Sequence, residues 1–380
     1  MNRIPLSSLN DKKLKVNVKN PRCLELFLHS CKNNATRETY VNHFNAFLKH
    51  VGKDHESLLM LSDSELNIIL EDYVMFCSSN DRCARSSIKG IFAAIEKFLF
   101  MNDRTINKKK LMMCLPEQKK TSQRSITTEE ILLLLLASAN SRSKAIVHLF
   151  CATGCRPEGM ADLKMKDIEF MIDGFTGIIF YSGDKHEFQS FCHPEATDAL
   201  NDYLDSRKQK QEELTPETYV FCKVNCIGNE PGRMSGEGIG SVIEHLVKYS
   251  GIKRVKQNKK RYDVPVCNGF RNRFNTILKM LSAENTISYA VAERFMDHKL
   301  RMEGNYMFPT GLKLLKEYKK AVPELLVSKE SRLKLENENK QKQIEDLESD
   351  KDIQINKMQL QIDSMLEMFS SAKELMKTKH

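Results

Sequence analysis

Between Asn102 and Ser125 the chain runs polar and lysine-rich, interrupted by Pro116, and on either side of it apolar residues recur at helical spacing. A stretch of that kind contributes little to a core and reads as a linker. It constrains the 380 residues to fold as separately cored units rather than as one body, in line with two or three domains for this length. Hydrophobic residues are 41% of the chain, enough for sizeable cores. Glycine (16) and proline (10) are scarce and tryptophan is absent, which speaks against a turn-rich all-β protein.

The first block is helical throughout. Residues 34–38 open a pattern that sets Tyr40, Phe44, Phe47 and Leu48 on one face. A second helix is expected over 61–76, capped by Ser62 or Asp63, and a third over 86–100. In the second block Thr127 and Glu130 form a capping box before a run of leucines. A buried helix over 145–153 runs into Gly154. Two β-type runs, 177–181 and 188–192, flank Ser182-Gly183-Asp184-Lys185, which predicts a hairpin with Lys185 near its tip. Helices follow over 195–208, 236–249, 271–281 and 286–296. The fold class is therefore α+β, mainly helical, with a small sheet. The expected domains are 1–118 with a linker to 124, then 125–325, then 326–380.

The last block contains no glycine or proline. Ile355, Met358, Ile362, Met365, Phe369, Ala372 and Met376 follow alternating steps of three and four, a heptad seam. Ile344 and Leu347 extend it upstream, while Asn337, Lys340 and Lys351 weaken it, and the register slips between Lys351 and Ile355. Self-association through a coiled coil is the expectation, and a single solvated helix is the other reading.

The formal charge is +9, and it is unevenly placed. Residues 1–124 carry 21 basic and 13 acidic side chains, and residues 326–380 carry 10 and 11. A second basic knot holds Lys253, Arg254, Lys256, Lys259, Lys260 and Arg261. Such clusters suit a nucleic-acid backbone, although alone they equally describe a solvated surface. Arg82, Arg85, Lys89 and Lys97 are candidate phosphate contacts by charge and spacing. The eleven cysteines are odd in number and sit mostly in apolar stretches, and the N-terminus lacks an apolar signal segment, so an intracellular, reduced chain is expected. The longest aliphatic run, 131–137, is too short to cross a bilayer. Cys151 with Cys155 and Cys222 with Cys226 are CxxxC pairs, read as structural rather than metal-binding. His186 and His193 flank the hairpin, where they could touch phosphate, and read as surface residues.

Three segments carry the chemistry. Thr153-Gly154-Cys155-Arg156-Pro157 places an arginine just past a buried helix; alone, it could be a surface residue at a helix start. Asn268-Gly269-Phe270-Arg271-Asn272-Arg273-Phe274 puts Phe270, Phe274 and Ile277 inward, with Asn268 and Arg271 near a helix entrance that favours an anion. Glu293-Arg294-Phe295-Met296-Asp297-His298-Lys299 is followed by Tyr306, eight residues after His298.

In this order the segments resemble the tyrosine recombinase (phage integrase) family, whose pattern runs TGxR, a hairpin lysine, HxxR, GH and a tyrosine. The wording is most similar to archaeal integrases, which implies a mobile element or virus. The resemblance covers about residues 20–325. It implies a helical DNA-binding domain and a catalytic domain clamped on a duplex, a tetramer on DNA, no metal or other cofactor, and a cytoplasmic, nucleoid-associated location. By it, Tyr306 attacks a phosphodiester and forms a 3′-phosphotyrosyl link, Arg156 and Arg271 hold the non-bridging oxygens, Lys185 protonates the leaving 5′ oxygen, and His298 assists. Tyr318 is a second candidate nucleophile, and Tyr289 reads as a core residue. The chain departs from the pattern in four places: Asn268 stands for the HxxR histidine, Gly159 for the usual acid with Glu158 displaced by one, and Asp297 for the glycine before His298, while the His-to-Tyr spacing is one residue shorter than in many relatives. A type IB topoisomerase-like enzyme and a non-catalytic DNA-bridging protein are the alternatives.

Overall fold

A computed structural model describes residues 21–79, 83–117, 123–171, 173–223, 232–257, 261–298 and 311–377. The chain divides at Lys120/Thr121 into two compact units.

Among its described residues the first unit holds six helices: α1 (Arg22–Ser30), α2 (Asn34–Val51), α3 (His55–Leu59), α4 (Asp63–Ser78), α5 (Arg85–Met101) and α6 (Lys108–Met113). Asn33 caps α2 by accepting from Ala35 and Thr36 N–H, and Gly52 ends it in the left-handed conformation. Ser62 and Glu65 form the capping box that starts α4, which decides between the two expected caps. Phe27, Phe44, Phe47, Tyr73, Phe92 and Phe98 fill one aromatic core. The expected linker is partly structured. α6 lies within it, and Leu111 and Leu115 are buried in the same core. Two apolar side chains in a polar stretch were enough to fold it back.

The second unit holds α7 (Thr128–Ala137), α8 (Ser141–Thr153), α9 (Pro157–Asp162), α10 (Pro194–Lys208), α11 (Gly236–Tyr249), α12 (Val266–Ala283), α13 (Tyr289–Phe295), α14 (Leu312–Leu325) and α15 (Lys329–Lys377). Its sheet has the order β1 (Ile168–Phe170), β2 (Thr176–Phe180), β3 (Phe188–Cys192), all antiparallel, with Phe180 opposite Phe188. That register leaves 181–187 as the hairpin loop. β1 is a three-residue edge strand, too short for the alternation pattern to reveal. α8 is the spine: from Ala145 to Thr153 every side chain but His148 is buried. One core gathers α7–α11 and the sheet around it, and a second packs Phe175, Phe191, Phe274, Phe295 and Tyr318 between β3 and α12–α14.

Three expectations need correction. α12 begins at Val266, five residues earlier than the periodicity predicts, because Pro265 serves as its N-cap and Val266 and Cys267 pack inward. Tyr289 is not a core residue; it starts α13 and is 59% exposed. His193 is not on the surface; it is fully buried at the end of β3, with neither ring nitrogen hydrogen-bonded. The ten described cysteines are free thiols. Burial pushes Cys151 and Cys155 up to about 12, as suits inert core groups. Cys226 lies outside the described residues. Among the described residues no helix is long and apolar enough to cross a membrane.

Candidate active site

The site is built where α8 ends. Gly154 caps that helix with φ +57°, and a Cβ there would come within 2.6 Å of the Phe274 ring, so conformation and space both require glycine. The reversal delivers Arg156 as the N-cap of α9, directly before Pro157. On α12, Phe270 and Phe274 are buried against the core, which turns Arg271 toward the same reversal. Its guanidinium donates to Gly154 O at 2.9 Å and to Met296 O. Burial lowers the Arg271 pKa, and the neighbouring Arg156 charge lowers it further. The two arginines therefore lie within electrostatic reach of each other.

The third segment closes the site. α13 ends at Phe295, and Asp297 takes φ +52°. Asp297 Oδ2 accepts from Arg156 Nη1 at 2.8 Å, and His186 Nδ1 lies 3.9 Å from the same oxygen. His298 Nδ1 is 2.8 Å from Glu293 Oε2. Glu293 is buried, so its carboxylate orients the ring and directs Nε2 away from it. Lys185 is exposed in the 181–187 loop, as the hairpin pattern predicts. That loop is tied by Gly183 N–H to Glu187 Oε2 (2.7 Å) and His186 N–H to Asp184 Oδ1 (3.0 Å).

Arg156, Arg271, Asp297 and the hairpin loop are thus brought together, and His298 follows on the same turn. Asn268 is exposed in the first turn of α12. Tyr306 lies outside the described residues. Tyr318 is fully buried on α14, its hydroxyl donating to Ala152 O at 2.8 Å, and burial raises its pKa well above the ordinary phenol value. Of the candidate phosphate contacts, Lys89 and Lys253 are exposed and Lys97 half-buried. Arg85 is engaged elsewhere, donating to Pro116 O at 2.8 Å, and Arg254 stacks 4.2 Å from the Tyr262 ring centroid. Arg82, Lys259 and Lys260 lie outside the described residues.

Sequence reasoning missed Tyr181. It sits at φ +54° where β2 leaves the sheet, and its ring covers Gly159, within 3.0 Å of where a Cβ would be. The signal was the small residue at 159, which leaves room for a ring. It also missed Arg273, buried on α12 and donating to Glu324 O at 2.9 Å, which ties α12 to the end of α14.

Residues 124–306 match the phage integrase family, a stretch that spans nearly all of the second unit up to α14. That match assigns the unit to the tyrosine-type site-specific recombinases. Among solved structures, the Tn1549 transposon integrase in complex with transposon right end DNA is similar at a TM-score of 0.53 and 12% identity, over 79% of this chain and 99% of that one. A lambda integrase dimer bound to a COC′ core site aligns with a TM-score of 0.49 and 14% identity, over 77% and 98%. The XerA recombinase aligns with a TM-score of 0.36 and 19% identity, over 78% and 97%. No curated protein matches the sequence significantly. The mainly helical fold with a three-stranded sheet and a long C-terminal helix agrees with the expected class. The recombinase reading is favoured over the nicking-closing and bridging alternatives.

Proposed function

We propose that this site-specific tyrosine recombinase cuts and rejoins double-stranded DNA for a mobile element or virus, with Tyr306 as nucleophile. The observation that carries this reading is the convergence of Arg156 and Arg271 on one rigid reversal, the first on α9's cap and the second pinned by two backbone carbonyls. Two forked guanidiniums suit the non-bridging oxygens of a phosphorane. Lys185, on the exposed loop whose His186 Nδ1 lies 3.9 Å from Asp297 Oδ2, is assigned as the general acid for the leaving 5′ oxygen. His298 is oriented by Glu293 to hydrogen-bond the phosphate through Nε2. Asn268 supplies a hydrogen bond but no titrating group. The family match ends at Tyr306, which supports that tyrosine, and the buried Tyr318 cannot reach a phosphate without unfolding its helix. Lys89, Lys97, Lys253 and the basic knot at 253–261 are the proposed backbone contacts. The similar Tn1549 integrase was solved in complex with DNA, which supports a duplex partner. A tetramer on DNA, a coiled-coil association of the tail, an archaeal source and a cytoplasmic, nucleoid-associated location complete the proposal.

The test is covalent trapping. Incubation with nicked duplexes drawn from the DNA flanking its own gene is expected to give a denaturant-resistant protein–DNA band that Tyr306→Phe abolishes. A band that survives Tyr306→Phe overturns the assignment of the nucleophile.

A further inference from the structure

The chain lacks an acid at position 159 and has one at 297, where relatives of its pattern have glycine. The structure connects the two departures. At 159 even a Cβ would meet the Tyr181 ring at 3.0 Å, so a larger side chain there requires that ring to shift. At 297 the backbone keeps a left-handed, glycine-like φ of +52°, a conformation that aspartate tolerates through its short polar side chain. The Asp297 carboxylate is only 16% exposed and accepts from Arg156 Nη1 at 2.8 Å, while the Arg156 side chain is 44% exposed. Among the described residues no other protein group accepts from Arg156. Its remaining guanidinium nitrogens are therefore available to a phosphate.

Asp297 also lies in the field of the second arginine. Burial and the Arg156 charge both lower the Arg271 pKa, whereas the Asp297 charge raises it. Two guanidiniums brought together before any phosphate arrives repel each other, and a fixed carboxylate at one edge offsets that repulsion. The same oxygen is 3.9 Å from His186 Nδ1, so the hairpin loop that carries Lys185 meets this carboxylate as well.

We propose that Asp297 is the positioning residue of this site: a carboxylate moved from the α9 position to the α13 turn, which fixes the Arg156 fork and holds the arginine pair in place for the phosphate. It touches no reacting atom and acts through Arg156. This rests on the reading of Arg156 as a phosphate ligand, so the experiment separates the two ideas.

The experiment measures single-turnover cleavage of a nicked duplex, together with duplex affinity, for the full chain and for Asp297→Asn, Arg156→Ala and the double variant. Asparagine keeps the size, tolerates the left-handed backbone and removes only the charge. Asp297→Asn is expected to slow cleavage about 10- to 100-fold, the scale of a misplaced catalytic group, with duplex affinity changed less than about twofold. In the Arg156→Ala background the same substitution is expected to change the rate less than about twofold, the non-additivity of two groups acting as one. Unchanged or faster cleavage by Asp297→Asn overturns the proposal, and so does a full additional loss in the Arg156→Ala background. Unchanged cleavage by Arg156→Ala alone overturns the underlying reading of the site instead.

Discussion

At the scale of single residues, Gly154 is the most constrained position in the site. Alanine there meets the Phe274 ring at 2.6 Å and must also adopt φ +57°. Gly154→Ala is expected to cost about 2–4 kcal/mol, read as a lowered urea midpoint, and to slow cleavage by shifting Arg156. Tyr318→Phe, by contrast, removes one buried hydrogen bond to Ala152 O. It is expected to cost about 1 kcal/mol while the covalent adduct persists. His193 gives a pH dependence. Burial lowers its pKa to about 3, below the ordinary value of 6.5, so between those values the unfolded chain holds a proton that the folded chain excludes. Stability is therefore full above about pH 6.5 and falls as pH drops toward 3, by up to about 1.4 kcal/mol per unit. His193→Phe is expected to flatten the loss of thermal midpoint between pH 7 and pH 5. Arg156, Arg271 and Lys185 could be proposed from the sequence because their types and order suit the chemistry. The places of His193 and Tyr181 could not, because burial depends on what packs over a strand end, which no local spacing encodes.

At the scale of elements, caps and periodicity were reliable guides where the apolar pattern was dense, as in α2, α7 and α11. They failed at the start of α12, where Pro265 provides no side-chain cap. The tail shows what a pattern can add once its element is known. α15 is one 49-residue helix, roughly 74 Å long. Its root is fastened by Glu195, which accepts from the N–H groups of Val327 and Ser328 at 2.9 Å each. Beyond it, Ile344, Leu347, Ile355, Met358, Ile362 and Met365 are all exposed; the side chains of Phe369, Ala372 and Met376 lie outside those described. Leu333, Ile344, Ile355 and Leu366 recur every eleven residues, as do Leu347, Met358 and Phe369. The slip between Lys351 and Ile355 is one step of that longer repeat, which favours a nearly straight or right-handed pair over a left-handed zipper. Lys351 then sits on the seam at a cost to pairing. Lys351→Ile is expected to tighten self-association about tenfold and Ile355→Glu to abolish it, as followed by sedimentation equilibrium of the full chain. Equal behaviour of both variants and the parent would make α15 a solvated helix.

At the scale of the whole molecule, the structure divides within the lysine-rich stretch, where no apolar periodicity joins two cores, and 326–380, expected as a third domain, falls in the second unit. The boundary itself was not legible in the sequence. Leu111 and Leu115 pull α6 into the first core, and the Arg85 guanidinium fastens the carbonyls of Leu115 and Pro116. The junction therefore lies between Pro116 and Arg124, and Arg124 is itself held on the second unit by Glu130 at 2.6 Å and Asp263 at 3.2 Å. This division separates charge from chemistry. Residues 1–120 carry 20 basic and 13 acidic side chains, an excess of seven positive charges, whereas the candidate site residues Arg156, Arg271, Asp297 and His298 all belong to the second unit. Lys108 pairs with Glu96 at 2.7 Å and Lys110 with Glu71 at 2.5 Å, pairs already netted out of that excess, and Lys89 is open to solvent. Affinity and catalysis are thus expected to come apart when the chain is cut in the linker. A fragment starting at residue 121 should keep its fold. It should bind duplex at least about 100-fold more weakly at low salt, and its log–log salt slope should fall by about 0.9 for each phosphate that the first unit had neutralised. On a nicked duplex supplied at saturation it should still form the covalent adduct. An unchanged salt slope would place the DNA-binding charge on the second unit and leave the basic first unit with another partner.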